Sequence, residues 1–242
     1  MGVRRNLTGG FRALRGSDRD RYRLAERVAA KIHPDAILSD RDRLWLRDAE
    51  FRAIYQRFRG DIFTRTMDRV FFIDQLARLV APLLGDTVEC GAYDGLSSYM
   101  ICRATQPAHT HHVFDSFEGV SEPGEADGDY WKKGDLSASE ATLLANLAEF
   151  DIVTHPGWIP HHFDEVTDLQ FCMVHIDVDL YQPTRDSIEF FYDRTVRGGI
   201  IVLDDYGFAN CPGATAAVDE HMANRPEIVV MAPTGQGIIF KQ

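Results

Sequence analysis

Two acidic pairs have the clearest chemical meaning in this sequence, because each pair follows an apolar run. The run FCMVHI is followed by Asp177 and Asp179, and the run IIVL is followed by Asp204 and Asp205. If both runs are neighbouring strands of a parallel sheet, their carboxyl ends meet at one edge, which is where such sheets bind ligands. If the first strand continues, alternation places Asp177 and Asp179 on the same face.

Carboxylates that are clustered in this way repel one another unless a cation lies between them. Oxygen ligands suit Mg²⁺ or Mn²⁺, and we therefore predict a divalent metal site at this edge. The alternative is that the same aspartates cap helices or lie in solvated turns.

A turn that contains glycine follows an earlier apolar run in the segment ECGAYDG. Gly91 would permit a tight turn, and Gly95 would let a ligand approach the backbone. A dinucleotide site usually has the pattern G-x-G-x-x-G, which holds a pyrophosphate, but here Ala92 replaces the second glycine and Glu89 and Asp94 are acidic. Carboxylates suit a cofactor with an amino group and a sulfonium. The alternative is an ordinary turn between a strand and a helix.

Three further residues follow or lie within the other strand-like runs. Asp115 ends HHVFD 24 residues after Gly91, where an acidic residue can accept both hydroxyls of a ribose, although Asp also commonly begins loops. Trp158 in HPGW would either stack on a planar ring or pack in its loop. His175 alternates with Asp177, and we favour a hydrogen-bonded core residue over a ligand; no histidine has zinc-site spacing.

The elements that position these residues alternate between strands and helices after residue 86. SASEATLLANLAEF begins with a capping-box pattern of Ser137 and Glu140, QPTRDSIEFFYDRTV ends before Gly198, and PGATAAVDEHMAN begins with Pro212. We therefore predict an α/β fold with a mostly parallel sheet covered by helices on both faces. The predicted strands are TVEC, HHVFDS, FDIVTH, FCMVHIDV, GGIIVLDD, EIVVMA and GIIFKQ.

The pattern before residue 86 is helical. DRDRYRLAERVAAKI, RDRLWLRDAEFRAIYQRF and MDRVFFIDQLARLVAPLL have apolar residues at helical spacing. Residues 1–64 are predicted to form an N-terminal helical extension that serves as a lid or a dimer contact, and residues 65–242 to form one domain.

Composition and charge exclude several classes of protein. The 242 residues include 26 basic and 37 acidic side chains, and the formal net charge of −11 argues against a nucleic-acid partner. The sequence has neither a membrane-spanning apolar run nor the apolar stretch of a signal peptide, so no membrane partner is expected. Four scattered cysteines without C-x-x-C spacing predict a reduced, cytoplasmic protein.

Several motifs together resemble the macrocin O-methyltransferase family of class I methyltransferases. They are VECGAYDG, VFDSFEG, WKKGDLSAS, HPGWIP, VHIDVDLYQPT, GGIIVLDDYG, CPGATAAVDE and TGQGIIF. The resemblance covers roughly residues 65–242 and is most specific where HIDVDLY and DDYG occur together. It implies a Rossmann-like, seven-stranded fold with an antiparallel last strand, and methyl transfer from S-adenosylmethionine to a hydroxyl.

By motif position, the resemblance also implies site residues. The ligands of Mg²⁺ (or Mn²⁺) would be Asp177, Asp204 and Asp205. The bound metal would lower the pKa of the acceptor hydroxyl, and Asp177 would be the catalytic residue that accepts its proton. Contacts to S-adenosylmethionine would come from Glu89, Gly91, Tyr93, Gly95, Ser97, Asp115, Ser116, Gly157, Trp158 and Asp177.

Two departures leave the acceptor open among sugars, polyketides, phenols and lipid-linked glycans. Val178 and Gln182-Pro183 stand where the sugar-methylating members carry Gly and Glu-Ser. The expected partner is a small molecule with a hydroxyl, and the chain is either a monomer or a homo-oligomer. Alternatives are a glycosyltransferase that uses Asp177-Val178-Asp179 to hold Mn²⁺ and a nucleotide diphosphate, a nicotinamide oxidoreductase, and a non-catalytic protein of the same fold.

Overall fold

The computed structural model describes residues 16–32, 44–58 and 66–242. The chain divides into two compact units, Met1–Asp48 and Ala49–Gln242. In the first unit, helix α1 (Asp18–Ile32) follows Ser17, whose hydroxyl accepts a hydrogen bond from the backbone N–H of Asp20 at 3.2 Å. A 3-10 turn covers Leu44–Leu46. The domain boundary between residues 64 and 65, and the roles given to the extension, stay predictions.

The second unit is built on a seven-stranded sheet, as predicted. The strands lie in the order β3-β2-β1-β4-β5-β7-β6. The first five in the chain are parallel, and β7 runs antiparallel to β5 and β6. This confirms the predicted fold class. The strands are β1 (Asp86–Cys90), β2 (His111–Asp115), β3 (Ile152–Pro156), β4 (Phe171–Ile176), β5 (Thr195–Leu203), β6 (Val230–Met231) and β7 (Gly237–Phe240).

Within the described residues of the second unit, six helices precede or connect these strands. The helix that follows the glycine turn begins directly after Gly95. Pro212 occupies the first turn of the last helix, where its missing N–H costs no hydrogen bond. The helices are α2 (Ala49–Arg57), α3 (Met67–Val80), α4 (Leu96–Thr105), α5 (Glu140–Asn146), α6 (Tyr181–Phe191) and α7 (Pro212–Met222).

Three predicted helices differ from the structure, one by an interruption and two at their ends. The helix expected over 41–58 is interrupted at residues 47 and 48, between a 3-10 turn and α2. Helix α5 is capped by Ser139 rather than Ser137, because the Ser139 hydroxyl accepts a hydrogen bond from the Thr142 N–H at 3.1 Å. Helix α6 ends at Phe191, since a 3-10 turn follows and β5 already begins at Thr195.

The register of the central strands fixes where their carboxyl ends lie. Cys90 of β1 is opposite Ile176 of β4, which in turn is opposite Leu203 of β5. The backbone N–H of Asp177 donates to the Cys90 carbonyl at 2.9 Å, and the N–H of Asp204 donates to the Ile176 carbonyl at 2.9 Å. The ladder therefore continues to the first acidic residue after each strand and holds both at one edge of the sheet.

Buried apolar side chains stabilise the sheet from its faces. Phe171 and Phe191 are fully buried, and their ring centroids are 5.3 Å apart in an edge-to-face arrangement. All four cysteines are buried free thiols, and a reduced, cytoplasmic environment stays a prediction. None of the helices in the described ranges has the length and apolar character to cross a membrane.

Candidate functional site

Two adjoining cavities open at the carboxyl edge of the parallel strands. The acidic cavity, of about 760 Å³, is lined by the four aspartates that follow β4 and β5, and by Arg69 of α3. The turn cavity, of about 890 Å³, is lined by the turns that follow β1, β2 and β3. The residues that line both cavities are Tyr93, Leu136, Asp177 and Asp179.

The segment after β4 does not continue as a strand. Strand β4 ends at Ile176, and Asp179 has a positive φ of 60°, a left-handed conformation that Asp tolerates better than most residues. The condition under which alternation would place Asp177 and Asp179 on one face is therefore not met. A turn brings Asp179 to the edge instead, and its backbone N–H donates to the Asp205 carboxylate at 2.9 Å.

Asp204 is the most extensively hydrogen-bonded of the four aspartates. Arg69 donates from Nη2 to the Asp204 carboxylate in a very close contact and to its backbone carbonyl at 2.8 Å. Gln236 donates to the other carboxylate oxygen at 2.6 Å. His175 Nε2 lies 3.4 Å from that oxygen, and His175 Nδ1 lies 2.6 Å from the Glu89 carboxylate.

The four aspartates are in two electrostatic states. Burial raises the pKa of Asp177 and Asp205 well above the ordinary range, and the charges of the neighbouring aspartates raise it further. Burial likewise raises the pKa of Asp179 to about 7. Burial alone would also raise the pKa of Asp204, but Arg69 and His175 outweigh it and hold the pKa below its usual value. Three of the four carboxylates therefore lack enough positive charge nearby to stabilise their ionised form.

Metal-binding geometry divides these residues into two groups. Ligand atoms of His175, Asp177 and Asp204 lie within 4.8 Å of one another, and so do those of Asp179, Asp205 and Cys211. The predicted set of Asp177, Asp204 and Asp205 is thus distributed over both groups. Burial raises the pKa of the Cys211 thiol and keeps it protonated, so the carboxylate oxygens are the better ligands. This donor set fits a hard divalent cation.

Most of the predicted cofactor residues lie around the turn cavity. Asp115, at the end of β2, accepts hydrogen bonds from the backbone N–H groups of Ala92 at 2.8 Å, Tyr93 at 3.1 Å and Phe117 at 2.7 Å. Both alternatives for Asp115 thus have support, since it organises two turns and also lines the cavity. The predicted residues that line the turn cavity are Gly91, Tyr93, Asp115, Ser116, Gly157, Trp158 and Asp177.

Three predicted cofactor residues lie elsewhere. Ser97 lines the acidic cavity. Glu89 lines neither cavity, because it belongs to β1 and its fully buried carboxylate is bound by His175 and Ser98. Gly95 has a φ of 91°, and a Cβ at this position would point at the Leu147 side chain, 3.3 Å away, rather than into a cavity. The glycine therefore suits this backbone conformation, and its contact with the cofactor stays a prediction.

Several residues of the acidic cavity were not identified from the sequence. Arg69 lies on α3, and the guanidinium carbon is 4.7 Å from the ring centroid of Phe208. The indole N–H of Trp131 donates to Cys211 Sγ at 3.4 Å. Asp179 is predicted at this edge as a member of an acidic pair, but it is not one of the three predicted metal ligands. An arginine in the helix MDRVFFIDQ has no sequence signal that connects it with carboxylates 135 residues away.

Comparison with known proteins confirms the resemblance that the motifs indicate. A family model described as macrocin O-methyltransferase (TylF) matches residues 72–229, well over half of the chain. The chain is 30% identical to demethyldecarbamoylnovobiocin O-methyltransferase of Streptomyces niveus over 57% of its own length and 58% of that protein. It is 30% identical to a rhamnosyl-tetracenomycin C 4'-O-methyltransferase of Streptomyces olivaceus over 54% of its own length and 56% of that protein.

The alignment therefore spans little more than half of either relative. Among solved structures, the calicheamicin methyltransferase CalS11 superposes with a TM-score of 0.63 at 17% identity, over 93% of each chain. At that identity, the likeness establishes the fold alone.

Proposed function

We propose that this chain, which belongs to the macrocin O-methyltransferase family, is an S-adenosylmethionine-dependent O-methyltransferase that acts, with the help of Mg²⁺, on a hydroxyl of a sugar or another natural product. The observation that carries the proposal is that the turn cavity and the acidic cavity meet at Tyr93, Leu136, Asp177 and Asp179. Methyl transfer needs a donor and a hydroxyl aligned in adjoining sites. Two cavities with a common wall meet that need.

The turn cavity suits the methyl donor by its chemistry. A carboxylate has about four acceptor positions, and Asp115 uses three of them for backbone N–H groups. One position is left for a ribose hydroxyl. Trp158 offers an aromatic face to a planar ring, and Asp177 offers a carboxylate to a sulfonium or an amino group. S-adenosylmethionine, which combines these groups, would supply the methyl group.

The acidic cavity suits a divalent cation for the same kind of reason. It holds four carboxylates, and burial together with mutual repulsion raises the pKa of three of them. We assign Asp177, Asp204 and Asp205 as the residues that would hold the ion, with Asp179 beside them. When bound, the ion would lower the pKa of the acceptor hydroxyl and orient it.

The remaining steps belong to side chains of the chain itself. Asp177 lines both cavities and is placed at the end of β4 by the backbone hydrogen bond to Cys90. We assign to it the acceptance of the hydroxyl proton during transfer. Tyr93 and Leu136, on the same common wall, would exclude water from the reacting atoms.

The acceptor is proposed to occupy the acidic cavity opposite Trp131 and Phe208. Both aromatic side chains line this cavity, and either ring suits the face of a sugar or a phenol. The names of the two relatives describe O-methylation of demethyldecarbamoylnovobiocin and of a rhamnosylated tetracenomycin C, which supports a sugar or another natural product as the acceptor. Family membership favours methyl transfer over the nucleotide-sugar, nicotinamide and non-catalytic alternatives.

A calorimetric titration tests the proposal. The protein would be titrated with S-adenosylhomocysteine, first with Mg²⁺ and then in the presence of EDTA. Binding at micromolar concentrations supports the cofactor assignment and justifies an acceptor screen in which loss of methyl transfer on chelation tests the metal. Absence of binding in both conditions would reject the methyltransferase assignment.

A further inference from the structure

Arg69 is the cationic side chain among the described residues that line the acidic cavity. It comes from α3, a helix that carries none of the predicted site residues. Its side chain is buried, with 9% of the residue exposed, and its guanidinium bonds the Asp204 carboxylate directly. A buried guanidinium therefore occupies part of the space in which the carboxylates would hold a metal.

The electrostatic reach of Arg69 extends beyond its direct partner. Asp177, Asp179 and Asp205 line the same cavity as Arg69 and its direct partner Asp204. All four carboxylates therefore share one cavity with this guanidinium. A divalent ion placed among the same carboxylates would be repelled by it.

Arg69 also has contacts that do not require the Asp204 carboxylate. Nη2 donates to the backbone carbonyl of Asp204 at 2.8 Å. The guanidinium carbon is 4.7 Å from the centroid of the Phe208 ring, within the range of a cation–π interaction. Release of the carboxylate would leave the guanidinium held by a carbonyl and an aromatic face.

We propose that Arg69 is a built-in counter-ion of the acidic cavity, which neutralises Asp204 and which a divalent metal ion must displace from that carboxylate in order to bind. The proposal rests on the metal assignment made above. Arg69 is thereby a positioning residue that sets the affinity of the site for metal. It also keeps the four carboxylates compatible with the folded state when the metal concentration is low.

The test measures metal binding directly and does not depend on activity. The whole chain would be titrated with Mn²⁺ alone. Binding would be followed by calorimetry and by the loss of the paramagnetic resonance signal of free Mn²⁺. In Arg69→Met the Kd for Mn²⁺ is expected to fall about tenfold or more, because a positive charge close to the ion is removed. Arg69→Lys keeps the charge and is expected to stay within about threefold of the unmodified protein.

Arg103→Met is the matched control. Arg103 is 8% exposed and bonds the buried Asp74 at 3.0 Å, so its loss also breaks a buried ion pair, but it lines neither cavity. The Mn²⁺ affinity of this variant is expected to be unchanged. Equal or weaker Mn²⁺ binding in Arg69→Met than in the unmodified protein would overturn the counter-ion role and leave the metal assignment intact. Absence of binding in both proteins would overturn both.

Thermal unfolding provides a second readout if Arg69→Met folds poorly. Without the guanidinium, the repulsion among the carboxylates should lower the Tm, and Mn²⁺ should raise it more than in the unmodified protein. A variant that is recovered folded only in the presence of Mn²⁺ would support the counter-ion role. In Arg103→Met, Mn²⁺ should raise the Tm only as much as in the unmodified protein. An equal Mn²⁺-induced rise in Tm in the two variants would contradict the proposal.

Discussion

Gly91 lines the turn cavity and lies against the backbone of Asp177. The loss of stability on its replacement by alanine can be calculated from the structure. Gly91 has a φ of 80°. A Cβ at this position would lie 2.9 Å from the carbonyl carbon of Asp177, closer still to its oxygen, and 3.1 Å from Val178 Cγ1. The backbone of two neighbouring strand ends would have to separate to accept one methyl group.

Two costs add up in Gly91→Ala. A left-handed conformation costs an L-residue about 1–2 kcal/mol. Overpacking against a well-packed backbone costs about 1–3 kcal/mol more. We therefore expect the free energy of unfolding to fall by about 2–5 kcal/mol. The affinity for S-adenosylhomocysteine should also fall, because the backbone of Gly91, Asp177 and Val178 forms part of the wall of the turn cavity and would move.

Gly134→Ala is the control that carries only the conformational cost, so the difference between the two variants measures the overpacking. Gly134 has a similar φ of 88°, but a Cβ there would have nothing within 4 Å. Its replacement should therefore cost only about 1–2 kcal/mol and leave S-adenosylhomocysteine binding unchanged. Urea unfolding of the two variants, followed by tryptophan fluorescence, measures the difference. Equal destabilisation would refute the close approach between the two strand ends.

Three further predictions concern the site, the pH dependence of stability and the core. Asp177→Asn should reduce methyl transfer to an acceptor found by screening by about 10²–10⁴-fold while S-adenosylhomocysteine binding is nearly retained; unchanged turnover would reject Asp177 as the proton acceptor. Burial alone would raise the pKa of Glu227, but hydrogen bonds from Tyr192 and Lys241 lower it to about 2, so the stability that Glu227 contributes is present above its ordinary pKa of 4.5 and lost as pH falls from there toward 2. The stability difference between the unmodified protein and Glu227→Gln should therefore shrink over that interval in acid-unfolding curves, and a constant difference would contradict it. Phe191→Ala should destabilise the fold by about 3–5 kcal/mol in urea, because Phe191 is fully buried; a loss below about 1 kcal/mol would show a core that is looser than the structure.

The sequence predicts the order of elements well because that order depends on local patterns. Apolar runs followed by polar residues identify all seven strands, and the runs of β1, β2 and β4 are almost entirely buried. Helix ends were less predictable, since they depend on single hydrogen bonds. Ser137 and Ser139 are both suitable caps by type, and only the three-dimensional path of the chain decides that Ser139 bonds the N–H of Thr142.

The position of Asp179 shows where a local rule fails. Alternation applies only while the chain remains extended, and the backbone leaves the strand directly after Ile176. The left-handed conformation of Asp179 and its hydrogen bond to the Asp205 carboxylate are long-range consequences of two strand ends lying side by side. The sequence predicts that the aspartates are close, but not which of them share a partner.

Glu89 shows that a motif does not by itself determine what a side chain contacts. It lies two positions before Gly91, where β1 is still a strand, and in the parallel register it is directly opposite His175 of β4. Side chains opposite each other on neighbouring strands project from the same face, so the Glu89 carboxylate meets the imidazole at 2.6 Å instead of reaching over the sheet edge. His175 in turn approaches Asp204. Glu89 thus influences the acidic cavity indirectly, because it holds His175, and His175 faces the proposed metal ligand Asp204.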